Sequence, residues 1–336
     1  MLLELLKTMS PSGFEDEARN FILDKVKDLE HEIDSMGNII VHKPGTGKRV
    51  MISAHMDEVG FIISKITDSG ALRFKSVGGI ETTVMAGKSV IIGKNRVHGV
   101  IGSKPVHLQS ANERNAMGAI TDLIIDIGAK DKTGAEALVK VGDYATFATE
   151  SVKFGDNLLM AKGLDDKVGC SILLELLKEE NDLDLYAAFT VQEEVGLRGS
   201  MIAAKRINPE AAIVFEGTTC SDVFPTPEEK TVTKLHGGAV LTAMDRTAIS
   251  DRSLFEAVKK CAEENSIPYQ IKRTIAGGTD AGSIQKCGSG VRTLVIATPC
   301  RYIHSPVSVM CFDDYNACLN LGKKVLKLLE DFKWNS

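Results

Sequence analysis

Histidine and acidic residues that could bind metal ions stand in five short segments of the sequence. The segments read AHMDE, GLDDK, VQEEV, VFEGT and YIHSP, and they carry His55, Asp57, Asp165, Glu193, Glu194, Glu216 and His304. Each segment follows a predicted strand or opens a predicted helix, and ligands of open α/β sheets bind at the carboxyl ends of the strands. A solvated loop or a helix cap could explain each segment taken alone, so the argument rests on their joint occurrence.

His55 and Asp57 form an H-x-D pattern directly after the apolar run of residues 50–54. Residues two apart in an extended strand face the same side, so the two side chains could lie together. A carboxylate beside a metal-binding histidine fixes the tautomer and the orientation of the ring. A stray histidine in a surface loop explains an isolated H-x-D about as well, because one short motif rarely decides a function.

The acidic pairs Asp165-Asp166 and Glu193-Glu194 could supply the remaining chemistry. One aspartate could bridge two cations, although two acids at a helix start also serve as caps. One glutamate could bind a metal while the other takes a proton from metal-bound water, whose pKa falls from about 15.7 to about 7. The alternative for this pair is a solvated acidic turn. With Glu216 the set holds nitrogen and oxygen ligands without thiolate, which suits a pair of zinc, cobalt or manganese ions.

Apolar periodicity predicts the elements that would position these residues. Short apolar runs predict buried strands over residues 50–54, 185–191, 211–215 and 291–297, and helical spacing predicts helices over residues 168–177, 253–265 and 314–329. Ser12 and Glu15 form a capping-box pattern that predicts another helix up to about residue 29. Strands alternating with helices indicate an α/β fold with an open, mostly parallel sheet flanked by helices.

The sequence changes character between residues 66 and 157, where short β runs are separated by glycines. One helix-like stretch, residues 116–127, interrupts these runs. We therefore expect an inserted β-rich domain over residues 66–157. Residues 1–65 and 158–336 would then form the catalytic domain.

Composition and charge exclude several classes of partner. The 336 residues carry a net charge of −5 without a basic run, so neither nucleic acid nor an anionic membrane is expected. No apolar stretch reaches the roughly 18 residues of a membrane span. The N-terminal residues predict a short amphipathic helix rather than a signal peptide. The seven scattered cysteines favour a reducing cytoplasm, in which they act as small core residues.

Six segments, in this order, resemble the M42 family of metallo-aminopeptidases: AHMDEVG, GLDDKVG, VQEEVGLRGS, IVFEGT, GGTDAG and RYIHSP. That family includes glutamyl aminopeptidases and chains once labelled cellulase M, and the resemblance covers essentially the whole chain. It implies a two-metal exopeptidase fold with a PDZ-like inserted domain and two divalent ions per subunit, zinc or cobalt. It also implies short peptide substrates and a homo-oligomer, typically a tetrahedral dodecamer.

The resemblance further implies a role for each site residue. The implied metal ligands are Asp165 as the bridge, His55 and Glu216 at one ion, and Glu194 and His304 at the other. Glu193 is implied as the general base, and Asp57 as the residue that orients His55. Aspartate stands in place of Glu216 in some relatives.

Three finer expectations accompany these roles. The adjacent pair leaves open whether Asp165 or Asp166 is the bridge, and the D-x-K pattern favours Asp165. The resemblance implies a cis peptide between these two residues. Asp280, in GGTDAG, is expected to shape the substrate site.

The expected reaction is hydrolysis of an N-terminal peptide bond, with metal-bound hydroxide as the nucleophile. An N-deacylase or a carboxypeptidase could use the same two-metal site. A glycosidase is a third alternative, although glycosidases use two facing carboxylates and need no such ligand set. The remaining histidines are interpreted as structural, and they are His31, His42, His98, His107 and His236.

Overall fold

Two β-structures organise the chain, a large mixed sheet and a closed barrel inserted between two of its strands. The computed structural model describes residues 1–110 and 120–334. The large sheet contains β1 (Glu30–Ile33), β2 (Ile39–Lys43), β3 (Arg49–His55), β10 (Val152–Phe154), β11 (Leu158–Ala161), β12 (Asp184–Thr190), β13 (Ala211–Cys220), β14 (Ala239–Thr242), β15 (Tyr269–Ile271), β16 (Arg292–Arg301) and β17 (Ser308–Cys311). The barrel contains β4 (Gly60–Ile66), β5 (Leu72–Val77), β6 (Ser89–Ile92), β7 (Val97–Gly102), β8 (Ile124–Asp126) and β9 (Tyr144–Phe147). The described helices are α1 (Leu2–Leu5), α2 (Asp16–Val26), α3 (Lys132–Glu136), α4 (Leu164–Leu176), α5 (Arg198–Ile207), α6 (Arg252–Glu264), α7 (Ala281–Ile284) and α8 (Phe312–Asp331).

The centre of the large sheet is parallel and its margins are antiparallel. Strands β12, β3, β13 and β16 lie side by side in that order and run in the same direction. Outside them, β2 and β1 on one side and β17, β11 and β10 on the other pair antiparallel, as β14 does with β16. Parallel pairing is otherwise found between β14 and β15, so the prediction of a mostly parallel sheet is wrong for the rest of the sheet. A short apolar run predicts a buried strand but carries no mark of its direction.

Helices cover both faces of the sheet because successive side chains of a strand point to opposite faces. On β3, Val50, Ile52 and Ala54 belong to the apolar core shared with α2, α4, α6 and α8. Met51 points the other way and packs in the core that contains residues of α5 and α7. Burial on both faces explains why the central strands read as continuous apolar runs.

Helix α6 shows how the local sequence sets an element. The Asp251 carboxylate accepts a hydrogen bond from the backbone N–H of Leu254 at 2.9 Å and caps the helix. Leu254, Val258 and Cys261 are buried on one face, at the spacing of an amphipathic helix. The prediction of a helix over residues 253–265 is confirmed to within one residue.

The barrel closes when β4 pairs with both β5 and β9, and it has an apolar core of its own. The ring of Phe61 lies 5.0 Å from that of Phe74 and 5.1 Å from that of Phe147. Strand β4 begins before the predicted boundary at residue 66, and β10 belongs to the large sheet although it lies inside the predicted insertion. Strand pairing, rather than the change in composition, sets these limits. The likeness to a PDZ domain stays a prediction.

Two local predictions are wrong. Ser12 does not cap a helix, because its Oγ donates to the buried Asp57 Oδ2 at 2.6 Å, and α2 starts only after Glu15. Of the helix predicted over residues 116–127, residues 116–119 lie outside the described residues. The rest forms a 3₁₀ turn, Ile120–Asp122, and strand β8.

Two expectations from composition can be compared with the structure. All seven cysteines are free and buried, which confirms their role as core residues. Within residues 1–110 and 120–334, none of the helices combines the length and the apolarity needed to cross a membrane.

Candidate active site

Neighbouring strands bring the predicted site residues together at one edge of the sheet. His55 ends β3, Glu193 and Glu194 follow β12, and His304 lies in the loop between β16 and β17. Because β3 and β12 pair in parallel, the first three residues lie side by side. Glu216 differs from the expectation, since β13 continues for four residues beyond it. Its carboxylate therefore projects from within the strand.

Asp165 lies between the two histidines. Its Oδ1 is 3.4 Å from His55 Nε2, and its Oδ2 is 3.4 Å from His304 Nε2. Asp165 stands in the first turn of α4 with non-helical φ −82° and ψ 107°. A cis peptide joins it to Asp166, as predicted. Its Oδ1 is buried and accepts no hydrogen bond from the described residues. The carboxylate therefore faces the two imidazoles with an oxygen that no protein hydrogen bond satisfies.

The ligand atoms around Asp165 form two groups. In one, His304 Nε2 lies 3.3 Å from Glu194 Oε2, and in the other His55 Nε2 lies 3.1 Å from Glu216 Oε1. Two ligands bound about 2.0–2.1 Å from a tetrahedral zinc ion are roughly 3.4 Å apart. The observed separations match that value, so the residues of each group fit a shared cation.

Burial and mutual repulsion change the protonation of these side chains. Burial raises the pKa of Glu194 and that of Glu216 to about 8, although the neighbouring histidines oppose the rise. Burial lowers the pKa of His304, but Asp165 and Glu194 outweigh it and raise this pKa to about 9. Several buried carboxylates cannot all ionise at neutral pH without positive charge beside them. Divalent cations would supply that charge.

Asp166 uses its carboxylate differently from Asp165. Its Oδ2 accepts a hydrogen bond from the backbone N–H of His55 at 3.2 Å, and its Oδ1 accepts one from Gly169 at 2.9 Å. Asp166 also lies close enough to His55 and Glu216 to share a cation with them. Both of its oxygens are nevertheless already engaged by the backbone.

Comparison with known proteins decides the family of the chain. The profile of the M42 glutamyl aminopeptidases matches residues 37–321, a range that contains all of these side chains. This chain belongs to the M42 glutamyl aminopeptidase family. The M42 chain is 38% identical over 315 residues to a provisionally assigned aminopeptidase of Acetivibrio thermocellus, with 92% of both chains covered.

Solved structures agree with that family. The M42 chain resembles a TET aminopeptidase from a marine sediment archaeon of the Thaumarchaeota with a TM-score of 0.95, 33% identity, and 98% and 96% of the two chains covered. It also resembles the Pyrococcus horikoshii TET1 peptidase, with a TM-score of 0.86, 34% identity, and 96% and 98% covered. That peptidase can assemble into a tetrahedron or a large octahedral shell. The predicted family is confirmed, and the chain is a peptide hydrolase of the aminopeptidase type.

Asp57 holds the two glutamates of this M42 site in place. Its Oδ1 accepts from the backbone N–H of Glu193 at 3.0 Å, and its Oδ2 accepts from that of Glu194 at 3.1 Å and from Ser12 Oγ at 2.6 Å. His55 Nδ1 lies 3.0 Å from the carbonyl oxygen of Asp57 and 3.4 Å from its Oδ1. Asp57 therefore positions both His55 and the glutamates. The contact of Ser12 with Asp57 was not predicted, because the local sequence around Ser12 matches a capping box.

Asp280, from the GGTDAG segment of the M42 pattern, is buried beneath the site. It accepts hydrogen bonds from Thr190 Oγ1 at 2.6 Å and from Ser200 Oγ at 2.5 Å. With 1% of its surface exposed, its carboxylate is held by these two hydroxyl groups. The expectation that Asp280 shapes the substrate site stays a prediction.

A buried ion cluster that the sequence did not predict lies beside the site of this M42 chain. Glu58 Oε1 is 2.7 Å from Lys162 Nζ and 3.3 Å from Lys167 Nζ, and it accepts a hydrogen bond from Thr146 Oγ1 at 3.2 Å. Burial opposes ionisation of Glu58, but the two lysines outweigh it and lower its pKa to about 2. Thr146 belongs to β9, so the cluster ties the barrel to the sheet.

Proposed function

We propose that the chain is a two-metal aminopeptidase that removes N-terminal residues from short peptides. Asp165 would contribute its carboxylate to both metal ions, which would be zinc or cobalt. The position of its carboxylate, with one oxygen 3.4 Å from each histidine, is the observation that carries this proposal. Asp166 is less suited to the role, since both of its oxygens accept backbone hydrogen bonds.

The two groups of ligand atoms correspond to the two ions. His55 and Glu216 would hold one ion, and Glu194 and His304 would hold the other. When bound, such a metal pair polarises the scissile carbonyl and lowers the pKa of the attacking water. The short distances within each group support this division of the ligands.

Glu193 is the general base of the proposed reaction. It belongs to neither ligand group in the described part of the chain. Its backbone N–H donates to Asp57 Oδ1 at 3.0 Å, which fixes its position. Burial raises the pKa of Glu193 well above its usual range, although the nearby His55 opposes the rise. Burial therefore favours the protonated carboxyl, which suits a group that must accept a proton. Glu193 takes the proton of the attacking water and passes it to the leaving amine.

Other hydrolases could use the same centre. A carboxypeptidase would cut the opposite end of a peptide, and an N-deacylase would require a blocked amine, so both are separated from an aminopeptidase by their substrates. A glycosidase would use two carboxylates about 5–9.5 Å apart and would keep its activity in a chelator. Family membership favours the aminopeptidase.

We further propose that the chain forms a homo-oligomer, namely a tetrahedral dodecamer. The similar Pyrococcus horikoshii TET1 peptidase can assemble into a tetrahedron, which supports this geometry. A closed shell would admit only short peptides to the site. The free cysteines support the reducing cytoplasm as the location. Sedimentation at the mass of twelve chains is the expected result, and a stable dimer would contradict the dodecamer.

The deciding experiment measures hydrolysis of aminoacyl-p-nitroanilides by metal-stripped protein before and after zinc or cobalt is added. We expect activity to return with the metal, and only on substrates with a free amine. Activity that needs a blocked amine would replace this proposal with the N-deacylase. Activity that is indifferent to metal removal would contradict the two-metal site.

A further inference from the structure

A second group of metal-ligating side chains lies apart from the residues proposed for catalysis. His236, Cys311 and Asp313 place one ligand atom each so that all three atoms lie within 4.8 Å of one another. We propose that this group, the Cys311 cluster, binds one divalent transition-metal ion, zinc or cobalt. The ion would have a structural role, because β17 separates Cys311 from the loop of His304 by roughly 10 Å of extended chain.

The distances within the Cys311 cluster fit such an ion. Cys311 Sγ is 3.3 Å from His236 Nδ1 and 3.8 Å from Asp313 Oδ2. Zinc binds sulfur at about 2.3 Å and nitrogen or oxygen at about 2.0–2.2 Å, so a tetrahedral site separates a sulfur from either ligand by roughly 3.5 Å. The two observed distances lie on either side of that value. Thiolate, imidazole and carboxylate together are ligands that zinc and cobalt accept.

The backbone presents His236 to the thiol. His236 has φ 59°, a left-handed conformation that is uncommon for a residue other than glycine. Asp314 stabilises this turn, because its carboxylate accepts from the backbone N–H of His236 at 2.8 Å and from that of Gly238 at 2.7 Å. The loop before β14 is thus fastened to the first turn of α8, beside Cys311.

Asp313 has one oxygen fixed and the other directed at the cluster. Its Oδ1 accepts a hydrogen bond from Asn157 Nδ2 at 2.8 Å. Carboxylates that bind metals are commonly held in this way by a second group. The oxygen on the cluster side is then Oδ2, the atom 3.8 Å from Cys311 Sγ.

Cys311 can supply a thiolate once a metal ion is present. Burial raises the pKa of its thiol, although the backbone N–H groups of Asp313 and Asp314 oppose the rise. The bond to the ion therefore forms as the thiol releases its proton to solvent. Cys311 is buried, whereas His236 and Asp313 are exposed, so solvent lies on the side of these two residues and water can fill a fourth position there.

The ligands of the two centres differ in a way that can be measured. The catalytic groups contain only nitrogen and oxygen ligands, whereas the Cys311 cluster contains sulfur. Cobalt bound to a thiolate absorbs in the near ultraviolet by charge transfer from sulfur, and cobalt bound to imidazole and carboxylate does not. This band reports the Cys311 cluster separately from activity, so its failure and the failure of the proposed function are distinguishable.

The test is a titration of the metal-stripped full chain with cobalt(II), followed by this band. We expect it to saturate at one thiolate-bound cobalt per chain and to be absent from Cys311→Ser. In His236→Ala the band should need at least about tenfold more cobalt, since losing even a hydrogen-bond partner of a ligand costs 10–100-fold in metal affinity. His236 is exposed, so this variant carries the test if Cys311→Ser does not fold.

Cys220→Ser is the matched control. Cys220 Sγ lies 2.9 Å from Asp222 Oδ1, but this oxygen already accepts a hydrogen bond from Arg301 Nε at 2.7 Å. The band should persist in this variant. No band in the wild-type chain, or a band that survives in Cys311→Ser or is unchanged in His236→Ala, would overturn the proposal. Cys311 would then serve only as the N-cap of α8, where its Sγ accepts from the backbone N–H of Asp313 at 3.4 Å.

Discussion

The candidate catalytic centre and the Cys311 cluster use similar side chains at very different depths. In the candidate catalytic centre His55 is 1% exposed and lies among the buried carboxylates of Asp57, Asp165 and Glu216. In the Cys311 cluster His236 and Asp313 are exposed, at the antiparallel margin where β17 meets α8. A buried charged side chain must be neutralised by a partner, whereas an exposed charged side chain is solvated by water. The depth of a cluster therefore decides how strongly it depends on its ions.

The largest effect is expected from Asp165→Asn, which removes a negative charge from the candidate catalytic centre and leaves the Cys311 cluster unchanged. One carboxylate faces both histidines, so its loss should release both catalytic ions. The loss of metal removes several kcal/mol of transition-state stabilisation, or about 10³-fold or more in rate. The cobalt–thiolate band should remain. Elemental analysis together with hydrolysis of aminoacyl-p-nitroanilides measures both outcomes.

Asp166→Asn is the comparison for that variant. It alters an aspartate that accepts from the backbone of His55 and Gly169, so a smaller loss of catalytic metal is expected. If Asp166→Asn released both ions while Asp165→Asn kept them, the choice of bridge would be reversed.

A second large effect is expected from Glu193→Gln, which separates chemistry from metal binding. Removing a general base costs about 10²–10⁴-fold in rate. Both centres should keep their metal, because Glu193 belongs to neither ligand group among the described residues. The matched control is Glu256→Gln, on the exposed side of α6. Activity retained in Glu193→Gln would remove this residue from the mechanism.

A moderate effect is expected from Ser12→Ala, which removes one hydrogen bond that holds Asp57 in the candidate catalytic centre. The variant loses the 2.6 Å hydrogen bond to Asp57 Oδ2, and bonds to charged groups contribute about 1.5–3 kcal/mol. We expect kcat/KM to fall about tenfold, with metal content unchanged.

Ser253→Ala provides the control, since Ser253 Oγ also donates to an aspartate, Asp251, at 2.6 Å but far along the chain from the site. Equal losses in the two serine variants would show that a general loss of stability, and not the position of Asp57, lowers the rate.

The smallest effect is expected from His236→Ala in the Asp165→Asn background. An ion that binds only the folded chain stabilises it by mass action. In this background the remaining stabilisation by zinc comes from the Cys311 cluster. Zinc should raise the Tm of Asp165→Asn by a few degrees, and this rise should vanish when His236→Ala is added. A rise that persists would place the bound zinc elsewhere.

The sequence was sufficient for the family and for the side chains that gather at the sheet edge. His55, Glu194 and His304 could be found because each stands close to the end of an apolar run that reads as a strand. Supporting contacts could not be found, because they join residues far apart in the chain. Ser12 and Asp57 are 45 residues apart, and His236 and Cys311 are 75 apart. Local patterns assign such residues to caps and loops, and only the fold brings them together.

The inserted barrel also has a consequence for the order in which the chain is made. Strand β3 ends at residue 55, but its partners β12 and β13 begin only at residues 184 and 211. The barrel and its core are complete by residue 147, so a nascent chain can fold the insertion long before the sheet around it exists. Limited proteolysis of ribosome-bound chains stalled near residue 200 should release a protected barrel fragment. A messenger RNA truncated at that point yields a folded barrel without a catalytic centre, because the codon for His304 has not been translated.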